Sequence, residues 1–189
     1  LVARANAPDW KLRNCGWAAN LLYCAGDINH KRNGLSSADL SPSILIHGGG
    51  WKKLINESVS PQEFKQRLHD ACGILPENIH DYYGMVEQTG TIYMECECGH
   101  LHTSVFSDVL IRRPHDFSLA EKGEEGIIEV VSVLPESYPG HVLLTEDKGV
   151  ILGEDDCPCG RKGKYFRIIG RLQNAEIRGC SDTYEAKKR

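Results

Sequence analysis

The feature that most restricts the fold of this chain is a succession of short apolar runs, each stopped by glycine, proline or a polar cluster. Ile44-Leu45-Ile46 ends at His47-Gly48-Gly49-Gly50, residues 91–96 alternate, and residues 126–134 and 142–145 are rich in valine, isoleucine and leucine. Two more runs, 165–169 and 175–178, flank Gly170-Arg171-Leu172-Gln173-Asn174 in the tail. Runs this short and this rich in β-branched residues read as strands. One segment reads differently. Ser60-Pro61-Gln62-Glu63 combines a serine cap, proline at the first helical position and a glutamate placed to close a capping box. Phe64, Leu68 and Cys72 then fall on one helical face, with Gly73 and Pro76 placed to end the helix. The expected class is α/β with a sheet-rich middle.

With 189 residues the chain has room for one substantial core, or one core and a small appendage. A formal charge of -4 supplies no broad basic field for nucleic acid. No apolar run approaches the roughly 18 to 20 residues that span a bilayer, and no basic-then-apolar leader opens the chain, so a cytoplasmic address is expected. The first residue is Leu1 rather than Met, which suggests a piece of a longer protein. Residues 1–43 are the least readable, and the polar run 27–43 reads as a connection.

Eight cysteines in a chain of this size without an export signal read as reduced thiols, metal ligands or a nucleophile. Cys15, Cys24 and Cys72 sit among apolar neighbours and are expected to be small core residues. Cys96-x-Cys98 and Cys157-x-Cys159 could together form a tetrahedral thiolate zinc site, with His100 or His102 substituting if one cysteine points away. Such a zinc would tie two distant loops together and do no chemistry. The alternative is four reduced cysteines in adjoining turns.

Several other segments offer chemistry, each with a plainer alternative. Gly48-Gly49-Gly50 after a strand allows a flat ring or a phosphate to approach the backbone, or simply makes a tight turn. A loop containing Tyr82-Tyr83-Gly84-x-x-Glu87 offers an aromatic face and a carboxylate for a divalent cation, or is a solvated turn with a core tyrosine. Asp147, read at a strand end, could accept bonds from ribose hydroxyls or lie exposed in a turn. Arg171, between two strand-like runs, suits a phosphate or the surface.

Their order is more informative than any one of them. A glycine loop, an aromatic-glycine-x-x-glutamate loop, an aspartate after a strand, and Gly-Arg before a final small segment follow the layout of the adenylate-forming superfamily. Within it, ILIHGGGWKK at 44–53, YGMVEQTG at 83–90, CPCGRKG at 157–163 and GRLQNAEIRGCSD at 170–182 resemble the acyl-protein synthetase family of the LuxE type. The likeness covers roughly residues 40–185. Phenylacetate-CoA ligase-like enzymes share much of it, including the Cys-Pro-Cys-Gly-Arg element.

The resemblance implies a partial adenylation domain over residues 1–170, then a hinge and the start of a small mobile terminal domain over 171–189. It implies ATP-dependent activation of a fatty acid as acyl-AMP, with Mg²⁺, and transfer to the enzyme's own Cys180 for delivery to an acyl reductase that releases aldehyde. Gly48, Gly49 and Gly50 with Tyr83 and Gly84 would bracket the adenine, Glu87 would hold Mg²⁺, Asp147 would bind the ribose, and Arg171 would reach the nucleotide. Many relatives carry threonine where this chain has Val86, so a phosphate contact from that position is not expected. Arg178 and the basic tail would lower the Cys180 thiol modestly. Otherwise Cys180 is a structural cysteine at a strand end. In a CoA ligase the acyl group would pass to coenzyme A instead, leaving Cys180 idle. A zinc-stapled binding module without catalysis is a third reading. The serine/threonine/glycine-rich phosphate loop of the family is not among these residues, so the chain alone is not expected to activate an acid.

Overall fold

Ser60 starts a helix because its side chain replaces a missing intrahelical acceptor. In the computed structural model, which describes residues 43–49, 58–136 and 138–172, Ser60 Oγ accepts the Glu63 N–H at 3.1 Å, and helix α1 runs over Pro61–Cys72. Glu63 does not complete the predicted capping box; its carboxylate turns forward to pair with Arg67, one turn on. Gly73 closes the helix at φ 79°, its N–H bonded to the His69 carbonyl, a conformation glycine adopts without a Cβ penalty. Phe64, Leu68 and Ala71 are the buried face, packed with Ile74 and Ile79. Cys72 is only partly buried and donates to the Leu68 carbonyl at 2.9 Å.

The strands are β1 (Leu45–Gly48), β2 (Ile79–Tyr83), β3 (Tyr93–Glu95), β4 (Leu101–His102), β5 (Ser107–Arg112), β6 (Glu125–Ser132), β7 (Val142–Glu154) and β8 (Lys164–Arg171). They form one eight-stranded mixed sheet in the order β1-β2-β3-β4-β8-β7-β6-β5. Strands β1 and β2, joined through α1, are parallel, as a helical crossover permits. Every other pairing is antiparallel. β4 is the seam. Its two residues pair with Met94 and Glu95 on one side and with Phe166 and Tyr165 on the other. The largest buried cluster lies across that seam and comprises Tyr93, Leu101, Val109, Ile111, Ile128, Val130 and Phe166. No helix among the described residues is long and apolar enough to cross a membrane.

The sheet-rich reading agrees with this architecture, and its details change in four places. The apolar run Ile44-Leu45-Ile46 supplies the start of β1, but an apolar run is not a buried one here: Ile44 and Ile46 are 61% and 46% exposed while His47 is buried. Strand alternation puts Leu45 and His47 on the inward side. Asp81, Tyr82 and Tyr83 were read as loop and are strand, because they pair with His47 and Gly48 of β1 and with Met94 and Tyr93 of β3. Asp147 is not at a strand end but inside β7, which passes through a register shift at Lys148/Gly149 and continues to Glu154. Arg171 is the last residue of β8 rather than a linker residue. The 175–178 run, Cys180, Gly50, Cys15 and Cys24 lie outside the described residues.

Candidate functional site

Alternation along β2 sends Tyr82 and Tyr83 to opposite faces. The Tyr83 ring packs 6.1 Å from Tyr93 and edge-on to Phe166 at 6.3 Å. Its hydroxyl donates to Asp147 Oδ2 at 2.8 Å. Asp147 in turn lies opposite Arg171 in the β7–β8 register, with Arg171 Nε 3.5 Å from Asp147 Oδ1. Arg171 also pairs with Glu146 at 2.6 Å. Three residues singled out from sequence, on three different strands, therefore meet at one half-buried point.

Local geometry holds the central carboxylate in place. The Asp147 N–H donates to Thr145 Oγ1 at 3.1 Å, and the Thr145 hydroxyl donates to the Ile128 carbonyl at 2.8 Å. Burial, then the Asp147 charge, push the Tyr83 phenol above its ordinary range, so it remains a neutral donor. Chemically the point offers a carboxylate that accepts hydroxyl donors, as Tyr83 already demonstrates, beside a fixed guanidinium cation.

The glycines that follow β1 sit one strand away. A Cβ on Gly48 would stand 2.7 Å from Tyr82 Cε1, and Gly49 has φ 90°. The φ of Gly49 favours glycine outright, and a side chain at 48 would require the Tyr82 ring to move, so packing alone accounts for both. The ring lying against Gly48 is that of Tyr82, whereas Tyr83 faces Asp147. Gly84 is also close-packed, since a Cβ there would meet the Thr91 carbonyl at 3.2 Å.

Beside these glycines, His47 Nδ1 lies 3.5 Å from Asp81 Oδ1. Desolvation outweighs their attraction. Burial pushes the His47 imidazole down to about 4, while desolvation and then the Glu95 charge raise the half-buried Asp81 carboxyl to about 7. Unfolding lets His47 take up a proton, so its contribution to stability is present above 6.5 and is lost as pH falls toward about 4. Asp81 has the opposite sign: its contribution is full below 3.8 and is lost as pH rises toward about 7. The two offset in their shared window. His47→Gln should expose the Asp81 slope, so the urea midpoint of the variant, relative to wild type, is expected to fall as pH rises from about 4 to about 6.5. Parallel curves for the two proteins would contradict it.

Glu87 belongs to a short 3-10 turn, Val86–Gln88. With Thr89, Leu134, Glu136 and Tyr138 it lines a cavity of about 300 Å³. Gln88 holds the turn. It is 1% exposed, its Nε2 donates to the Gly140 carbonyl at 3.0 Å and more weakly to the Val130 carbonyl at 3.4 Å, and its Oε1 accepts from Tyr93 at 3.3 Å. A Cβ on Gly140 would collide with the Glu87 carbonyl. Neither Gln88 nor Gly140 was anticipated, because a buried glutamine in a polar turn leaves no pattern. Val86 is 86% exposed, and its carbonyl accepts from Thr89 Oγ1 at 2.9 Å.

Of the paired cysteines, Cys96, Cys157 and Cys159 converge with His102, their ligand atoms all within 4.8 Å of one another. Cys98 is exposed and outside that quartet. The turn explains the exchange: Gly99 at φ 76° donates to the Cys96 carbonyl and Cys96 donates to His100, so Cys98 stands at the tip of a tight reversal while β4 brings buried His102 beneath it.

Comparison with known proteins agrees with the motif order. The family described as acyl-protein synthetase, LuxE, matches residues 20–188. The long-chain-fatty-acid–luciferin-component ligase of Vibrio harveyi is 27% identical over 139 residues, 72% of this chain and 35% of that protein. That of Aliivibrio fischeri is 28% identical over 138 residues, 72% of this chain and 36% of that protein. The chain thus spans about a third of the length of these relatives. An open conformation of 2-hydroxyisobutyryl-CoA ligase superposes with TM-score 0.60 at 20% identity, covering 87% of this chain and 37% of that one. A long-chain-fatty-acid-CoA ligase from Archaeoglobus fulgidus gives 0.54 at 13% identity, covering 83% and 33%. These two likenesses show a sheet-rich α/β fold resembling part of the adenylate-forming ligases. Matched over most of its length, the chain belongs to the acyl-protein synthetase family, LuxE.

Proposed function

We propose that this chain supplies the ribose- and phosphate-facing part of a nucleotide site in an ATP-dependent fatty acid–protein ligase, together with the cysteine that takes up the acyl group. The observation that carries the reading is the convergence of Tyr83, Asp147 and Arg171 from three strands. ATP and AMP fit this donor set. Asp147 presents carboxylate oxygens of which one already accepts the Tyr83 phenol, and a ribose hydroxyl can donate to the remaining lone pairs while Tyr83 stays bonded. Arg171 lies close enough to serve the adjoining phosphate. A single carboxylate such as Glu87, facing a cavity, suits Mg²⁺ held mainly by substrate phosphates. When bound, Mg²⁺ would reduce the charge of those phosphates.

In this reading Arg171 offsets the repulsion between a fatty acid carboxylate and the α-phosphate it attacks, and Asp147 fixes the ribose so that the phosphate is presented in line. The Cys180 thiolate then attacks the acyl carbonyl carbon, forming the carbon–sulfur bond as the bond to AMP oxygen breaks. Cys180 lies outside the described residues, in the tail proposed to carry the hinge and the start of the terminal small domain. A partner acyl reductase in the cytoplasm would receive the acyl group and, with a hydride from a donor of its own, release it as aldehyde and leave the thiolate free.

The test is acyl labelling of the intact protein that carries these residues. With radiolabelled fatty acid and ATP, the protein band on a denaturing gel should carry label that hydroxylamine removes, and Cys180→Ser should abolish it. Equal labelling of Cys180→Ser would sink the acceptor assignment, and CoA-dependent AMP release without protein label would favour a CoA ligase.

A further inference from the structure

Among the described residues, and apart from those proposed to face a nucleotide, four ligand-type side chains converge: Cys96, His102, Cys157 and Cys159. We propose that these four residues form a structural tetrahedral zinc site of Cys₃His composition, with Cys98 excluded, which pins the β3–β4 turn to the β7–β8 turn. This goes beyond the ligase reading and does not depend on it.

The geometry fits the metal. Zinc–sulfur bonds of ~2.3 Å and a zinc–nitrogen bond of ~2.0–2.1 Å at tetrahedral angles separate sulfur from nitrogen by roughly 3.5 Å. Cys159 Sγ and His102 Nε2 are 3.5 Å apart. All four ligand atoms lie within 4.8 Å of one another, and three of the four residues are buried. Of the two ring nitrogens of His102 it is Nε2 that faces a cysteine sulfur, so ligation would run through Nε2, while Nδ1 is buried with no hydrogen-bond partner among the described residues and gains none from the metal. The imidazole is oriented by stacking 5.6 Å from Tyr165, so its polar neighbour at Nε2 is a thiol. Such crowding of poor hydrogen-bonding groups around a buried imidazole is costly without a common partner, and a borderline-soft dication is the partner for this donor set.

The two turns are built for the purpose. Around Cys157-Pro158-Cys159, Asp155 and Gly160 adopt φ 62° and 81°. Gly160 donates to the Cys157 carbonyl at 3.0 Å, and the Arg161 N–H donates to Cys159 Sγ at 3.4 Å. The other sulfur of this turn, Cys157 Sγ, lies 3.3 Å from His100 Nδ1, whose ring is stacked on Tyr165 at 4.9 Å, outside the quartet.

The test reads metal, not activity. Protein purified from zinc-supplemented medium is expected to carry one zinc per chain. After replacement by Co²⁺ it should show a sulfur-to-cobalt charge-transfer band and the intense visible bands of a tetrahedral ion. Cys98→Ser should keep full stoichiometry, whereas Cys159→Ser and His102→Ala should lose at least about tenfold in affinity. A zinc content near zero, or a cobalt spectrum of octahedral type, overturns the site. Loss of metal in Cys98→Ser equal to that in Cys159→Ser overturns the ligand set. Because the cobalt spectrum is taken on the wild-type chain, misfolding of a variant does not protect the proposal.

Discussion

Phe166→Ala should lower the free energy of unfolding by about 3–5 kcal/mol, the range for emptying a buried aromatic site. Phe166 is fully buried at the middle of β8, backbone-paired with Leu101 on one side and Ile151 on the other. Its ring meets Tyr93 edge-on at 5.4 Å and Tyr83 at 6.3 Å. Deleting it removes transfer free energy and leaves a cavity between two sheet halves that share only a two-residue strand, so the walls have little freedom to close inward. Phe166→Leu keeps most of the volume and should lose roughly 1–2 kcal/mol. Urea unfolding with equal slopes for wild type and variants measures both, and a loss under about 1 kcal/mol for the alanine variant would contradict the cavity account. Because Tyr83 leans on this ring, the alanine variant should also loosen the hydroxyl that holds Asp147.

Gly140→Ala should act mainly on Glu87. The new Cβ would collide with the Glu87 backbone carbonyl, and backbone cannot swing away as a side-chain tip can. Either the Val86–Gln88 turn moves or the segment carrying Gly140 does, and both motions break the bond from Gln88 Nε2 to the Gly140 carbonyl. In the proposed role of Glu87 as a holder of Mg²⁺, a displacement near 1 Å would reduce catalysis by roughly a hundredfold. Overpacking of this kind destabilises by about 1–3 kcal/mol. In the intact protein, if it is the proposed ligase, acyl-AMP formation by Gly140→Ala should therefore fall far more than its stability. Gln88→Leu, which frees the same turn without adding a clash, should reproduce the loss of activity. If Gly140→Ala retains full adenylation while Gln88→Leu does not, the clash is absorbed on the Gly140 side and the positioning argument fails for that glycine.

The α/β class, the capped helix α1 and the strand character of residues 126–134 and 165–169 were legible because each depends on local chemistry. Serine, proline and glycine mark the ends of α1 in any context, and β-branched runs fit a pleated, half-buried surface. What escaped the sequence depends on pairing. Asp81, Tyr82 and Tyr83 are polar and aromatic enough to read as loop, and only β1 and β3 on either side make them strand. β5 alternates with Val109 and Ile111 inward, but it sits among charged residues that hide it. β4 has two residues and carries no periodicity at all. At the candidate site, the types of Tyr83, Asp147 and Arg171 could be picked out singly, yet their meeting required the register in which Asp147 opposes Arg171. For the metal quartet, the paired cysteines were visible, whereas the replacement of Cys98 by His102 follows from a glycine at positive φ in the intervening turn.

The two-residue seam also bears on thermodynamic linkage. Tyr83 comes from the β1–β3 side of β4 and Asp147 with Arg171 from the β5–β8 side, so the hydroxyl–carboxylate bond is a stitch across the weakest join in the sheet. A molecule seated on both sides would add RT ln(1 + [L]/Kd) to the cohesion of those halves. Occupancy and mechanical integrity are therefore the same equilibrium viewed from two ends: whatever fills the site closes the seam, and whatever opens the seam empties the site.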